Sequence, residues 1–240
     1  MKNILSQSIK ITASVAICFA YASCNMVCTE GTGEAQMSKR TIKQFTSLNL
    51  DLAADVTVKK GTTDYIEIEA QANLLDKIIT DVSGDKLEIK SQGCISSSKD
   101  IKITVYMNDI EKLEIGGSGN ITIPDTLVVK NLKLVIGGSG TIEGKFIASK
   151  IESEIEGSGD IILTGSADEQ NASVSGSGTI NAKKLPCNQA KVDVDGSGDV
   201  SVYVLKKLEI NVNGSGNVRY AGKPSVNSHI EGSGAVIDEN

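Results

Sequence analysis

One tripeptide, Gly-Ser-Gly, constrains this chain more than any other feature. It occurs seven times, beginning at Gly117, Gly138, Gly157, Gly176, Gly196, Gly214 and Gly232, with successive copies 18 to 21 residues apart. A period near twenty points to a solenoid. Two residues before each first glycine stand Ile115, Ile136, Ile155, Val174, Val194, Val212 and Ile230; four residues after it stand Ile121, Ile142, Ile161, Ile180, Val200, Val218 and Val236. Both positions are β-branched in every copy, and their neighbours, such as Glu114, Glu154, Asp193 and Asn211, are mostly polar. This is the alternation of a strand with one wet and one dry face. Each unit reads as strand, corner, strand, and a lone unit of that size cannot cover its dry face. Stacking does so, with equivalent residues roughly 4.8 Å apart in adjacent windings. The fold expected is all-β: a single-stranded parallel β-helix with an irregular amino-terminal capping region. Right-handedness is expected because parallel β crossovers are right-handed in about 98 per cent of cases.

The corner glycines are Gly117, Gly119, Gly138, Gly140, Gly157, Gly159, Gly176, Gly178, Gly196, Gly198, Gly214, Gly216, Gly232 and Gly234. Counting by twos between the inward aliphatic positions lands on both glycines of each corner, so their missing side chains would point into the crowded bend, and glycine also permits φ > 0. The serine between them is expected to face outward. The rival arrangement turns it inward to bond the corner backbone.

The first residues read as an address. Lys2 and Lys10 precede a mostly apolar run from Ile11 to Ala22, the layout of a bacterial secretory signal over residues 1–23. Tyr21-Ala22-Ser23-Cys24 is like a lipobox, which makes Cys24 the expected lipidation site; Ala20-Tyr21-Ala22 is an alternative site for ordinary signal peptidase. The run is shorter than the ~20 residues that span a bilayer. Residues 24–40, with Gly31 and Gly33, read as a flexible tether, and 41–240 as the β-helix domain, with regular repeats over 109–240.

Composition narrows function. The chain has 24 Gly, no Trp, one His and a net charge of −6, with no basic patch, so no nucleic-acid partner is expected. Of five cysteines, Cys18 lies in the signal and Cys24 is the lipid site, leaving Cys28, Cys94 and Cys187. A disulfide such as Cys94 with Cys187 suits an oxidising compartment, although spacing does not set the pairing. No C-x-x-C pair accompanies the single His229, which argues against structural zinc.

Between Ser47 and Asn108 the design continues less regularly. Leu48, Leu50 and Leu52 alternate, Ala53-Ala54-Asp55 takes the place of the corner, and Val56 and Val58 follow. Ile66 and Ile68 mark a strand, Asn73 to Ile79 one or two helical turns of an end cap, and Gly84-Asp85 a turn before Leu87 and Ile89. Ile101, Ile103, Val105 and Met107 then lead into the first full repeat.

With these residues in view, Lys43-Gln44-Phe45-Thr46-Ser47-Leu48, Ala54-Asp55-Val56-Thr57-Val58, Asp85-Lys86-Leu87-Glu88-Ile89 and the Gly-Ser-Gly units together resemble the putative auto-transporter adhesin, head GIN domain family, over about Arg40 to Asn240. The resemblance implies a β-helical fold and a secreted or lipid-anchored envelope location.

Two columns could carry chemistry. Asn120, Thr141, Asp160, Thr179, Asp199, Asn217 and Ala235 follow the corner. A calcium ladder there is disfavoured because Asp160 and Asp199 stand two windings apart, so turn chemistry with side chains bonding nearby backbone is expected. Gly116, Gly137, Glu156, Ser175, Asp195, Asn213 and Glu231 precede it. Glu156 and Asp195 stand near the separation of an inverting carboxylate pair, but no Trp or clustered Tyr is seen to stack a sugar. No catalytic, metal or cofactor-binding residue is assigned. The function expected is a non-catalytic, envelope-anchored scaffold, an adhesin or binding protein whose partner is an unidentified protein or glycan. It would touch the membrane only through its lipid and sit as an outer-membrane lipoprotein facing the periplasm or the exterior. The alternatives are an accessory lipoprotein of an envelope system and a carbohydrate-active β-helix enzyme. A homo-oligomer capped end to end would answer the unpaired edge of the last winding.

Overall fold

The computed structural model describes residues 28–97 and 99–240. The expected signal over 1–23 and the lipidation residue Cys24 lie outside them.

The elements run in chain order as β1 (Thr29–Glu30), β2 (Ala35–Thr41), β3 (Ser47–Asp51), β4 (Asp55–Lys60), β5 (Tyr65–Gln71), a single helical turn α1 (Ala72–Leu75), β6 (Ile78–Ser83), β7 (Lys86–Ser91), β8 (Ile95–Ser96), β9 (Lys102–Met107) and β10 (Lys112–Ile115). Five long strands follow: β11 (Asn120–Ile136), β12 (Thr141–Ile155), β13 (Asp160–Gly176), β14 (Thr179–Gly196) and β15 (Asp199–Gly214). The chain closes with β16 (Asn217–Ala221), β17 (Ser225–Gly232) and β18 (Ala235–Asp238). Each long strand is one winding. Its neighbours lie one repeat away in sequence and pair in parallel, as Ile121 with Ile142 and Ile136 with Ile155. The chain is therefore a parallel β-solenoid of about seven turns, whose amino-terminal windings, built from β3 with β4 and β7 with β9, lack the tripeptide.

The dry face is the aliphatic set read from the sequence. Ile115, Ile136, Ile155, Val174, Val194 and Val212 are buried, as are Ile121, Ile142, Ile161, Ile180, Val200 and Val218. The seventh copy departs: Ile230 is 41% exposed, because β17 pairs with a winding on one side only. Of the buried polar side chains, Ser153 and Gln170 stand out. Gln170, fully buried between Ile151 and Ala190, leaves both amide atoms without a partner among the described residues, and so does the Ser153 hydroxyl. A buried amide that makes no hydrogen bond costs about 1–3 kcal/mol, and leucine has a similar volume. Gln170→Leu is therefore expected to raise stability by about 1–2 kcal/mol, read as a higher denaturant midpoint with unchanged slope.

The amino-terminal windings do not stack in sequence order. β3 pairs in parallel with β10 on one side and β7 on the other, while β4 lies between β11 and β9. The winding made by β7 and β9 thus lies beneath the one made by β3 and β4, although it comes later in the chain. Antiparallel strands close this end: β6 pairs with β7 through the Gly84-Asp85 turn, and β5 pairs with β9 and then β2.

Part of the expected tether is structure. From Cys28 onward, β1 pairs with β8 and β2 forms a seven-residue ladder with β5. Sequence periodicity misses β2 because it brings little apolar surface; backbone bonds and Arg40 hold it. The Arg40 guanidinium donates to the Ile78 and Leu75 carbonyls, both at 2.7 Å, and to Thr80 Oγ1 at 3.0 Å, tying the edge strand to α1 and β6. Partial burial lowers the pKa of Arg40, and an arginine remains charged there.

The disulfide is Cys28–Cys94, which corrects the pairing of Cys94 with Cys187. Cys94 sits in the loop after β7 at the capped end. Cys187 lies several windings away in β14, packed inward between Ala167 and Val204, and is free. Burial pushes its thiol up to about 12, so it is a core side chain and not a reactive one. The bridge closes a separation of 66 residues, so Cys94→Ser is expected to cost about 2–4 kcal/mol. Chemical denaturation of the two proteins measures the loss, and peptide mapping under non-reducing conditions should recover Cys28 joined to Cys94 with Cys187 free.

Candidate binding surface

The corners determine which side chains reach the surface. Each serine is exposed, and from Ser139 onward its amide donates to the first glycine carbonyl of the winding below, as Ser158 to Gly138 at 3.0 Å and Ser197 to Gly176 at 2.9 Å. The hydroxyls point outward. The glycines are needed for approach between windings more than for dihedral freedom. A Cβ on Gly138 would lie 2.0 Å from the Gly117 oxygen, and on Gly157 2.2 Å from that of Gly138. Among the corner glycines, positive φ occurs only at the first glycine of the last three corners, Gly196, Gly214 and Gly232. The second glycine has a further partner: a Cβ on Gly159 would meet Ile136 Cγ2 at 2.6 Å, and one on Gly216 would meet Val194 Cγ1 at 2.7 Å. The aliphatic residue two before one corner thus fills the space left by the second glycine of the next, which couples the two repeated features of the sequence.

Outside, the strands present polar ladders. The segment before the corner carries Lys112–Glu114, Lys133–Glu154, Lys150–Glu152 and Lys191–Asp193 ion pairs, at 2.6, 2.8, 2.6 and 2.9 Å. These are largely solvated, and pairs of that kind add little stability. Asparagines donate across windings to aspartates: Asn211 to Asp193 at 2.8 Å, Asn217 to Asp199 at 3.0 Å, and Asn120 to Asp55 at 2.9 Å. The column after the corner therefore bonds chiefly from winding to winding, whereas bonding to nearby turn backbone was expected. Arg219 adds a third contact to Asp199 at 3.1 Å. Burial pushes Asp199 up, but its bonds to Arg219 and Asn217 outweigh this and hold it below the usual carboxylate range.

Glu156 and Asp195 do not converge. Ile155 pairs with Val174 and Ser175 with Asp195, so a whole winding separates the two acids. Among the described residues no three His, Cys, Asp or Glu side chains gather as a metal site. His229 is exposed beside Glu231, Nε2 to Oε1 at 3.0 Å. Tyrosines do cluster, which corrects the expectation. Tyr65 and Tyr106, distant in sequence, stack at 4.2 Å between ring centroids because β5 and β9 are neighbours. Lys39 Nζ lies 3.8 Å above Tyr65 and Lys59 Nζ 5.9 Å from Tyr106, so the outer ring faces have cations over them rather than open stacking surface. Nothing in the residue pattern foretold this column, since it depends on the order of the first windings.

The parallel windings, the glycine corners and the antiparallel cap match a described family. Residues 44–224 match the family "Putative auto-transporter adhesin, head GIN domain". The chain belongs to the head GIN domain family. Solved structures share the fold. A "putative adhesin" from Bacteroides fragilis is 20% identical with a TM-score of 0.83, covering 87% of this chain and 99% of that one. A "putative lipid binding protein" from Parabacteroides distasonis is 22% identical with a TM-score of 0.75, covering 89% and 100%. A "putative adhesin" from the same species is 24% identical with a TM-score of 0.71, covering 88% and 100%. No curated protein matches the sequence. Head GIN membership thus accounts for the solenoid and its cap, and the relatives' likeness extends through nearly the whole described chain.

Proposed function

We propose that this head GIN protein is a non-catalytic, envelope-anchored scaffold that uses the long polar side before its corners to bind an extended protein or glycan. The supporting observation is the ladder itself. Lys191, Asp193, Asn211 and Asp195 repeat donors and acceptors at the winding spacing, and a polymer lying across the windings meets the same chemistry at roughly 4.8 Å steps. The adhesin names carried by the family and by two of the solved relatives agree with this reading. The Cys28–Cys94 bridge agrees with an exported protein, since such bonds persist in oxidising compartments. Cys24, four residues before the bridge, is the proposed lipid attachment.

Two experiments test this. Radiolabelled palmitate should enter the wild-type protein in cells and not Cys24→Ser. The purified protein, applied to arrays of glycans and extracellular-matrix proteins, should bind saturably, and the double variant Asp193→Ala, Asn211→Ala should weaken that binding at least tenfold without changing the melting transition. Turnover of an arrayed glycan would overturn the non-catalytic reading, and undiminished binding by the double variant would remove the ladder from it.

A further inference from the structure

The register between β11 and β12 shifts between Ile123 and Thr126, after which the segment Thr126–Val129 pairs with Lys145–Ala148. Among the described residues no ladder reaches its other side: β11 meets β4 only at Asn120–Thr122. The cause is the order of the first windings. The chain that would lie beneath this segment, Asn108–Glu111, climbs from β9, one rung below β4, to β10, one rung above β3. Four residues that rise two rungs, roughly 10 Å, must cross the sheet direction and cannot run alongside it. β4, for its part, leaves the stack at Lys60 and turns into the cap.

A groove of about 590 Å³ follows, between Asp109–Glu111 and the Val128–Lys133 stretch. A second hollow, lined by Val58, Lys60, Met107 and Leu127, continues it along the edge. The outward side chain on this edge is Val128, 73% exposed, and its register partner Ile147 is 47% exposed. An unpaired strand edge beside two exposed aliphatic side chains is a template for one more strand.

We propose that the groove receives an extended peptide segment of a partner protein, which adds to the free edge of Thr126–Val129 and sets an apolar side chain beside Val128, lengthening the Val128–Ile147 column by one residue. The hollows along the edge are walled by Val58–Lys60 and Met107–Glu111 of the same chain, which favours a single extended segment over the broad edge of a second copy. The groove adjoins the polar ladder at Lys133, Lys150 and Glu152, but the strand edge it exposes is distinct from the Asp193–Asn211 part of that ladder and does not depend on the anchor at Cys24.

The test is a titration of the ¹⁵N-labelled protein with the peptide acetyl-Lys-Thr-Val-Thr-Val-Thr-Lys-amide, followed by amide shifts and hydrogen exchange. Saturable shifts should centre on Thr126–Val129, with slowed exchange there. The same peptide N-methylated at its five central residues, which lacks the backbone donors, should bind at least tenfold more weakly. Val128→Glu, on an exposed position, should lose binding at least tenfold while its melting transition stays unchanged. Absence of saturable shifts, shifts that map instead to β2 or β17, or equal binding of the methylated peptide would overturn the proposal. Self-association of the free protein that Val128→Glu abolishes, read by light scattering, would assign the groove to a second copy instead.

Discussion

Val194→Asp is expected to destabilise the solenoid by on the order of 5 kcal/mol, near the upper end for a single substitution. Val194 is 2% exposed and lies in the middle of the stack, paired with Val174 below and Val212 above. Burial of a branched aliphatic side chain contributes about 1.5–3 kcal/mol, and aspartate forfeits that. A carboxyl group placed in the column, with aliphatic neighbours on both sides, adds the cost of a buried polar group without a partner, which is of similar size. Val194 also fills the space beside Gly216, so the damage passes to the next corner. Ser197→Ala, three residues on, removes an exposed hydroxyl and should change stability by no more than about 0.5 kcal/mol. Thermal and denaturant melts of both variants decide the matter: an unchanged transition for Val194→Asp, or a large loss for Ser197→Ala, would refute the orientation of these strands.

The second large effect is a difference between equivalent residues. Gly138→Ala is expected to cost on the order of 3 kcal/mol or more, because its Cβ would lie 2.0 Å from the Gly117 oxygen, which also accepts the Ser139 amide. Gly117 occupies the same position of the preceding tripeptide, yet its nearest neighbour would be the Leu52 nitrogen at 3.6 Å, an ordinary contact. The winding beneath it has the glycine-free turn Asp51-Leu52-Ala53-Ala54, which leaves room. Gly117→Ala should therefore be nearly neutral, or gain a few tenths of a kcal/mol from reduced freedom of the unfolded chain. Equal losses in denaturant melts of the two variants would show that dihedral freedom, and not approach between windings, explains the tripeptide.

The contrast marks how far the corners were legible in the sequence. The presence of both glycines, the outward serine and the inward aliphatic residues follow from a two-residue alternation that any reader can count. The reason for the glycines was legible only in part. Positive φ is realised at three of the first positions, whereas the meeting of Gly159 with Ile136, one winding apart, involves residues that no local pattern joins. The polar columns behaved likewise: Asn211 and Asp193 could be aligned from the repeat, but their hydrogen bond depends on the two windings lying in register.

By itself the sequence determined the solenoid, its period, the identity of the buried columns and the irregular region at the amino-terminal end. These are periodic properties, and in a stacked fold every winding meets the next through the same positions, so a local pattern repeated seven times is already a tertiary statement. Only the tertiary structure decided the insertion of β3 and β4 between later strands, the choice of Cys28 for Cys94, the Tyr65–Tyr106 stack and the open edge at Val128. Each depends on contacts between unlike segments across tens of residues, where there is no repeat to count and the free energy of pairing one edge with another selects the partner.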